Sequence, residues 1–142
     1  MIGLDCNILV QLAFADHPAN AKTLAAVQIE TDKGEKLVVP SLVVAEFLHV
    51  VTDNRRFDPP LTMIEALDWI DEFLKNPAVG PLEPTEASIA ETLRWMRQFK
   101  LGRKRILDTQ LAAILHGAGV RRLLTSNPAD FAVFDVLETV TP

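Results

Sequence analysis

A chain of 142 residues that is 49% hydrophobic and 23% charged has the length and apolar content for one ordinary domain with a full core. Its formal net charge of −5 argues against a plain electrostatic nucleic-acid binder, which is usually basic, but not against an enzyme that gathers acids around metal ions. No apolar run approaches the ~18 residues of a membrane span, no basic stretch precedes the first apolar run as in a secretory signal, and the single cysteine, Cys6, excludes an internal disulfide; a cytoplasmic protein is expected.

"MIGLDCNILV" reads as a buried strand over residues 1–6, with Asp5 at its end and Cys6 as a small buried hydrophobe. Asp16, ahead of His17 and Pro18, marks a helix start, and Gly34 follows its end near Lys33. "KLVVP" (36–40) is a short strand closed by Pro40, and Ser41 can cap the helix "LVVAEFLHVV". "NRRFDPP" (54–60) is a turn-rich loop, too short for a domain boundary. In "LTMIEALDWIDEFLKNP", Thr62 and Glu65 have capping-box spacing, and Met63, Ile64, Leu67, Ile70 and Leu74 recur at helical period until Asn76-Pro77. A strand near 78–82, a helix from Thr85 to about Gly102, a helix over "RILDTQLAAILHGAG", and strands in "RRLLTS" and "FDVLETV" complete the chain. This alternation predicts one α/β domain over 1–142, with a mostly parallel sheet of four to five short strands flanked by helices.

Four carboxylates sit in apolar company. Asp5 ends the first strand, where open parallel sheets bind ligands, and Asn7 shares its face if the strand continues. Glu46 neighbours Leu42, Val43 and Val50 on a helix apolar almost all round; pairing with Arg55 or Arg56 is the bland alternative. Asp108 heads the stripe Leu111, Ala112 and Leu115, near a helix N-terminus that favours acids in any case. Asp130 follows Thr125, Ser126 and Asn127 at a strand end, and could simply cap a turn. Gathered together these acids would repel, and a divalent cation would relieve them; all-oxygen ligands suit Mg²⁺ or Mn²⁺. His17, His49 and His116 are scattered, which argues against zinc.

The order of "MIGLDCNILV", "SLVVAEFLHVV", "ILDTQLAAIL" and "LLTSNPADF" resembles the PIN-domain ribonucleases, most closely the VapC-type toxins of bacterial toxin–antitoxin pairs, over nearly the whole chain. The resemblance implies that Asp5, Glu46, Asp108 and Asp130 are catalytic metal ligands for Mg²⁺, with Mn²⁺ as a substitute, and that Asn7, Thr125 and Asn127 support the site. It implies metal-dependent hydrolysis of RNA phosphodiester bonds, a cognate antitoxin protein as partner, and a homodimer. The stretch from Glu46 to Asp108 is long for the family and contains "NRRFDPP".

"KLGRKR" places Lys100, Arg103, Lys104 and Arg105 just before Asp108, either as a solvated helix junction or as an RNA phosphate track. Trp69 and Trp95 fall in amphipathic helices and read as core or interface residues. Two other readings remain. One is a catalytically inactive PIN fold that binds RNA or protein. The other is a haloacid-dehalogenase-like phosphatase with Asp5 as nucleophile, although Asn7 stands where that chemistry usually has a second acid.

Overall fold

The computed structural model describes all residues, 1–142. Five short parallel strands form one sheet: β1 (Ile2–Leu4), β2 (Leu37–Pro40), β3 (Val79–Leu82), β4 (Arg122–Leu124) and β5 (Glu138–Val140), in the spatial order β3-β2-β1-β4-β5. The chain first builds outward from β1 through β2 to β3, then returns to β1's other edge and builds outward through β4 to β5. The direction of winding therefore reverses between β1 and β4, and a crevice opens beyond their carboxyl ends. Gly3 pairs with both Val38 and Leu123, so the register brings the ends of β1, β2 and β4 to one level.

Six α-helices cover the sheet: α1 (Cys6–Ala13), α2 (Asn20–Asp32), α3 (Ser41–Val51), α4 (Met63–Leu74), α5 (Glu86–Gln98) and α6 (Ile106–Gly117). Residues Val43, Phe47 and Val51, at successive turns of α3, are wholly buried and pack it inward. On α6, Leu111, Ala112 and Leu115 form the expected core stripe. Gly3 permits the close approach of α6 to β1: a Cβ there would stand 2.7 Å from both methyl carbons of Leu115. The capping box of Thr62 and Glu65 forms at α4 as expected, and Thr85 with Ser88 forms another at α5.

The structure departs from the sequence reading at several places: Ser41 is the first residue of α3, with Pro40 as its N-cap, and α5 ends at Gln98, short of Gly102. Strand β1 stops at Leu4, and Asp5 takes extended backbone angles to become the N-cap of α1, a helix absent from the sequence reading. Asn7 is thus on a helix rather than on a strand face. Helix α2 begins at Asn20, because His17 and Pro18 form a turn rather than a first helical turn. On α4 the apolar repeat divides: Ala66 and Ile70 are buried, while Met63, Ile64 and Leu67 stay exposed. Both tryptophans serve packing: Trp95 is buried against the rings of His116 and Phe134, and Trp69 stacks with Phe73.

Candidate metal centre

The site grows from Asp5. As N-cap it makes no side-chain cap bond, so its carboxylate is free to turn across the sheet. There it accepts hydrogen bonds from the Thr125 hydroxyl at 2.6 Å and the Asn7 amide at 2.7 Å. Thr125, wholly buried at the end of β4, also accepts the backbone N–H of Asn127 at 3.0 Å, and the Asn7 side-chain oxygen accepts the N–H of Ser126 at 3.1 Å. Strand β1's end, α1 and the loop after β4 are thereby tied together across the reversal point of the sheet.

Glu46 enters from α3, and Asp108 from the first turn of α6. With Asp5, Asn7, Asn127 and Arg56 they line one cleft of about 480 Å³. Burial pushes the Asp5 carboxyl up from its usual value; hydrogen bonds from Thr125, the Cys6 N–H and Asn7 oppose this, while Asp108 adds to it. Burial, then the charges of Asp5 and Asp108, raise Glu46 to about 7 despite the opposing Arg56. Asp108 is raised by burial first and by Asp130 next, against the pull of Arg105. The Cys6 thiol, raised by burial and by Glu46 and Asp5, is the inert hydrophobe expected.

These acids are therefore under-compensated, the condition that a cation relieves. Their donor set is entirely oxygen, which suits a hard divalent ion. No three of the His, Cys, Asp and Glu side chains stand close enough to hold an ion in this arrangement. Asp5 is turned to Thr125 and Asn7, and Asp108 to Arg105 at 3.2 Å. The donor chemistry fits a divalent metal, and the pair with Arg105 uses only Oδ2 of Asp108.

The other sequence-named residues divide. Asp130 lies near enough to raise Asp108 but is absent from the cleft wall; its short helical turn, Pro128–Asp130, is fastened by Arg105, whose guanidinium donates to the Asp130 carbonyl. Lys100, Arg103 and Lys104 are exposed around the α5–α6 connection, outside the cleft wall. Arg105 is half-buried and committed to Asp108 and Asp130, so its first role is internal.

Sequence reasoning missed Gln11 as part of the site. It is buried on α1, donates to the Ser126 hydroxyl at 2.8 Å and accepts from Thr23 at 2.6 Å, securing the loop that carries Asn127. Its signal was the i,i+4 spacing from Asn7, legible only once α1 is recognised.

A parallel sheet with acids gathered at its reversal point defines an α/β domain of the acid-centred class, and similarity to known proteins refines that class. A model of the PIN domain matches residues 2–136. The chain belongs to the PIN domain family. A VapC ribonuclease of Mycobacterium bovis is 33% identical over 86 residues, a match that covers 61% of this chain and only 58% of that protein. Ribonuclease VapC31 of Mycobacterium tuberculosis is 26% identical over 142 residues, covering 100% of this chain and 99% of that protein. Among solved structures, VapBC2 of Rickettsia felis bound to a promoter DNA fragment superposes with a TM-score of 0.71 at 18% identity, over 99% of this chain and 98% of that one. M. tuberculosis VapC20, described as a toxin that cleaves the sarcin–ricin loop, also gives 0.71, at 14% identity, over 97% of this chain and 98% of that one. At those identities the structures speak for the fold, which agrees with the parallel α/β architecture expected from the sequence.

Proposed function

We propose that this chain is a divalent-metal-dependent endoribonuclease, the toxin of a toxin–antitoxin pair. The observation that carries the reading is the meeting of Asp5, Glu46 and Asp108 in one cleft at the reversal point of the sheet, each with its carboxyl raised by burial and by neighbouring acids. VapC ribonucleases among its relatives support the substrate class, and VapBC complexes among its structural neighbours support an antitoxin partner.

Asp5, Glu46 and Asp108 would hold Mg²⁺, or Mn²⁺ in its place, with Asp130 beside Asp108. Bound there, one or two such ions supply activation of water and neutralisation of charge on the leaving oxygen. The chain's own groups do the positioning. Thr125 and Asn7 fix the orientation of Asp5, Asn127 holds Thr125 through its backbone N–H, and Arg56 offers the only guanidinium on the cleft wall. Arg105 pairs with Asp108 at 3.2 Å and offsets part of its charge. A phosphatase using Asp5 as nucleophile is less favoured, because Asn7 stands where that chemistry usually has a second acid.

The protein is proposed to act in the cytoplasm as a homodimer. Met63, Ile64 and Leu67 on α4 and Ile89 and Leu93 on α5 are large apolar side chains left exposed, as surfaces awaiting a partner are. Light scattering that gives the mass of a single chain at micromolar concentration contradicts the dimer.

The deciding experiment is cleavage of single-stranded RNA with and without Mg²⁺. Asp5→Asn and Asp108→Asn should each lower the rate by about a hundredfold or more, since even groups that only orient metal ligands are worth about 10–100-fold. Full activity in EDTA, or in both variants, would overturn the reading.

A further inference from the structure

Beside the acid-lined cleft lies a second one of about 230 Å³, formed where the turn between α1 and α2 meets the loop between α3 and α4. Its wall comprises Phe14, Asp16, His17 and Pro18 from the turn and Phe57, Asp58 and Pro59 from the loop. His17 and Phe57 also line the first cleft, so the two adjoin. Phe14 and Phe57 stack with centroids 4.3 Å apart and planes 15° from parallel, which fixes an aromatic surface at the junction. His17 Nδ1 accepts the Ala19 N–H at 3.0 Å, so Nε2 carries the ring's donor proton.

We propose that this second cleft is a nucleobase subsite, which receives the base next to the scissile phosphate of a single-stranded RNA. The inference rests on the ribonuclease reading and adds to it the part of the substrate that this chain discriminates.

Charge decides which part of a nucleotide enters. No lysine or arginine lines the second cleft, while Asp16 and Asp58 do, and two carboxylates repel a phosphate. The phosphate belongs in the first cleft, with Arg56; Arg55 occupies Asp53 at 3.1 Å, whereas Arg56 lies 3.8 Å from that carboxylate. What remains for the second cleft is a planar group that stacks on phenylalanine, donates to carboxylates and accepts from an imidazole N–H. An unpaired base is such a group, since single-stranded RNA is read by stacking on aromatic rings and by the hydrogen-bonding edges of splayed bases. Guanine fits best: its ring N–H and exocyclic amine present adjacent donors to a carboxylate, and its O6 and N7 accept. A paired duplex would keep those donors occupied and its bases stacked, so double-stranded RNA is excluded from the cleft.

The test is Mg²⁺-dependent cleavage of a random-sequence single-stranded RNA library, with sequencing of the cut ends and steady-state kinetics on one favoured oligonucleotide. Wild-type protein should show a base preference, guanine foremost, at one position beside the cut. Phe57→Leu keeps apolar bulk but loses the aromatic plane; it should raise KM about tenfold with a smaller change in kcat. Phe57→Tyr should restore the wild-type KM. Asp16→Asn combined with Asp58→Asn alters two exposed side chains, so it should fold whatever happens at Phe57, and it should flatten the guanine preference. Unchanged preference and KM in both Phe57→Leu and the double variant, while Asp108→Asn still abolishes cleavage, would overturn the subsite and leave the ribonuclease reading standing. Absence of any metal-dependent RNA cleavage by wild type would overturn both.

Discussion

A buried glutamate and a half-buried one, at opposite ends of the sheet, show what this domain does with carboxylates. Glu30, on α2 near the amino ends of the strands, is 2% exposed, yet its carboxyl is lowered to about 2. Arg122 at 2.6 Å and Lys33 at 2.8 Å account for this, and Arg122 also reaches toward Glu35 and Glu138. Glu46, near the carboxyl ends, is raised to about 7, with two further acids beside it and Arg56 as the one opposing charge. The same residue type is held ionised at one end and resists ionisation at the other. Burial alone cannot separate the two cases; cation supply does. The amino end carries its own cations and closes on itself, whereas the carboxyl end sets only Arg56 and Arg105 against Asp5, Glu46, Asp108 and Asp130.

The largest break in this contrast is at the closed end. Arg122→Met strands a buried carboxylate with Lys33 alone, and removing one partner of a buried ion pair typically costs ~3–5 kcal/mol. For a domain of this size that is roughly a ten-degree fall in Tm, measurable by calorimetry. Adding Glu30→Gln to Arg122→Met should recover part of the loss, because no unpaired charge then remains. A fall of a degree or less in the single variant would mean that the Glu30–Arg122 pair does not clamp α2 to β4.

The open end should respond with the opposite pH dependence. Glu30's carboxyl is lowered, so its stabilisation is present above the usual value of 4.5 and disappears as pH falls through about 2. Glu46's is raised, so between 4.5 and about 7 the folded state holds a proton that the unfolded chain has lost. Stability must then fall as pH rises through that window, by at most about 3 kcal/mol at the far side. Asp5 and Asp108, also raised, act in the same direction. Metal-free protein should therefore be less stable at pH 7.5 than at pH 5 in urea titrations. Glu46→Gln should reduce that difference, and saturating Mg²⁺ should oppose it by binding the folded state. A flat profile in metal-free wild type would break the contrast at its centre.

How much of this was legible in the sequence follows from the same physics. Glu46 and Asp108 stood out because an acid at an apolar helical position breaks a local pattern, and Asp5 because it ended an apolar run. Their arrival in one cleft followed from the parallel α/β alternation, since strand ends are where such sheets bind. Helix α1 was hidden because it follows β1 with no turn residue between them, and at eight residues it shows its period only once, from Asn7 to Gln11. Gln11 disappeared with it. The second cleft was illegible for another reason: Phe14 and Phe57 meet only through tertiary folding, and neither flanking loop has a periodicity that predicts their stacking. The Glu30–Arg122 pair, between residues far apart in the chain, was invisible in the same way.

The basic run before α6 offers the smallest and most discriminating measurement. The sequence grouped Lys100, Arg103, Lys104 and Arg105 as one phosphate track, but the structure separates them by what they already hold. Arg105 is engaged by Asp108 and the Asp130 carbonyl, whereas Arg103 and Lys104 are exposed. If RNA passes over this connection, removing the cation that neutralises one phosphate should flatten the dependence of log affinity on log salt by about 0.7 for a single strand. Arg103→Gln and Lys104→Gln should therefore each cut the slope by about that amount in binding titrations, and leave the position of cleavage unchanged, because ion pairs with phosphates carry no base information. Arg105→Gln should behave differently. It frees Asp108 and loosens the Asp130 turn, so its main effect should fall on the Mg²⁺ concentration required for half-maximal cleavage rather than on the salt slope. Equal salt slopes in wild type, Arg103→Gln and Lys104→Gln would remove this connection from the RNA path and leave Arg56, inside the cleft, as the chain's own phosphate-binding group.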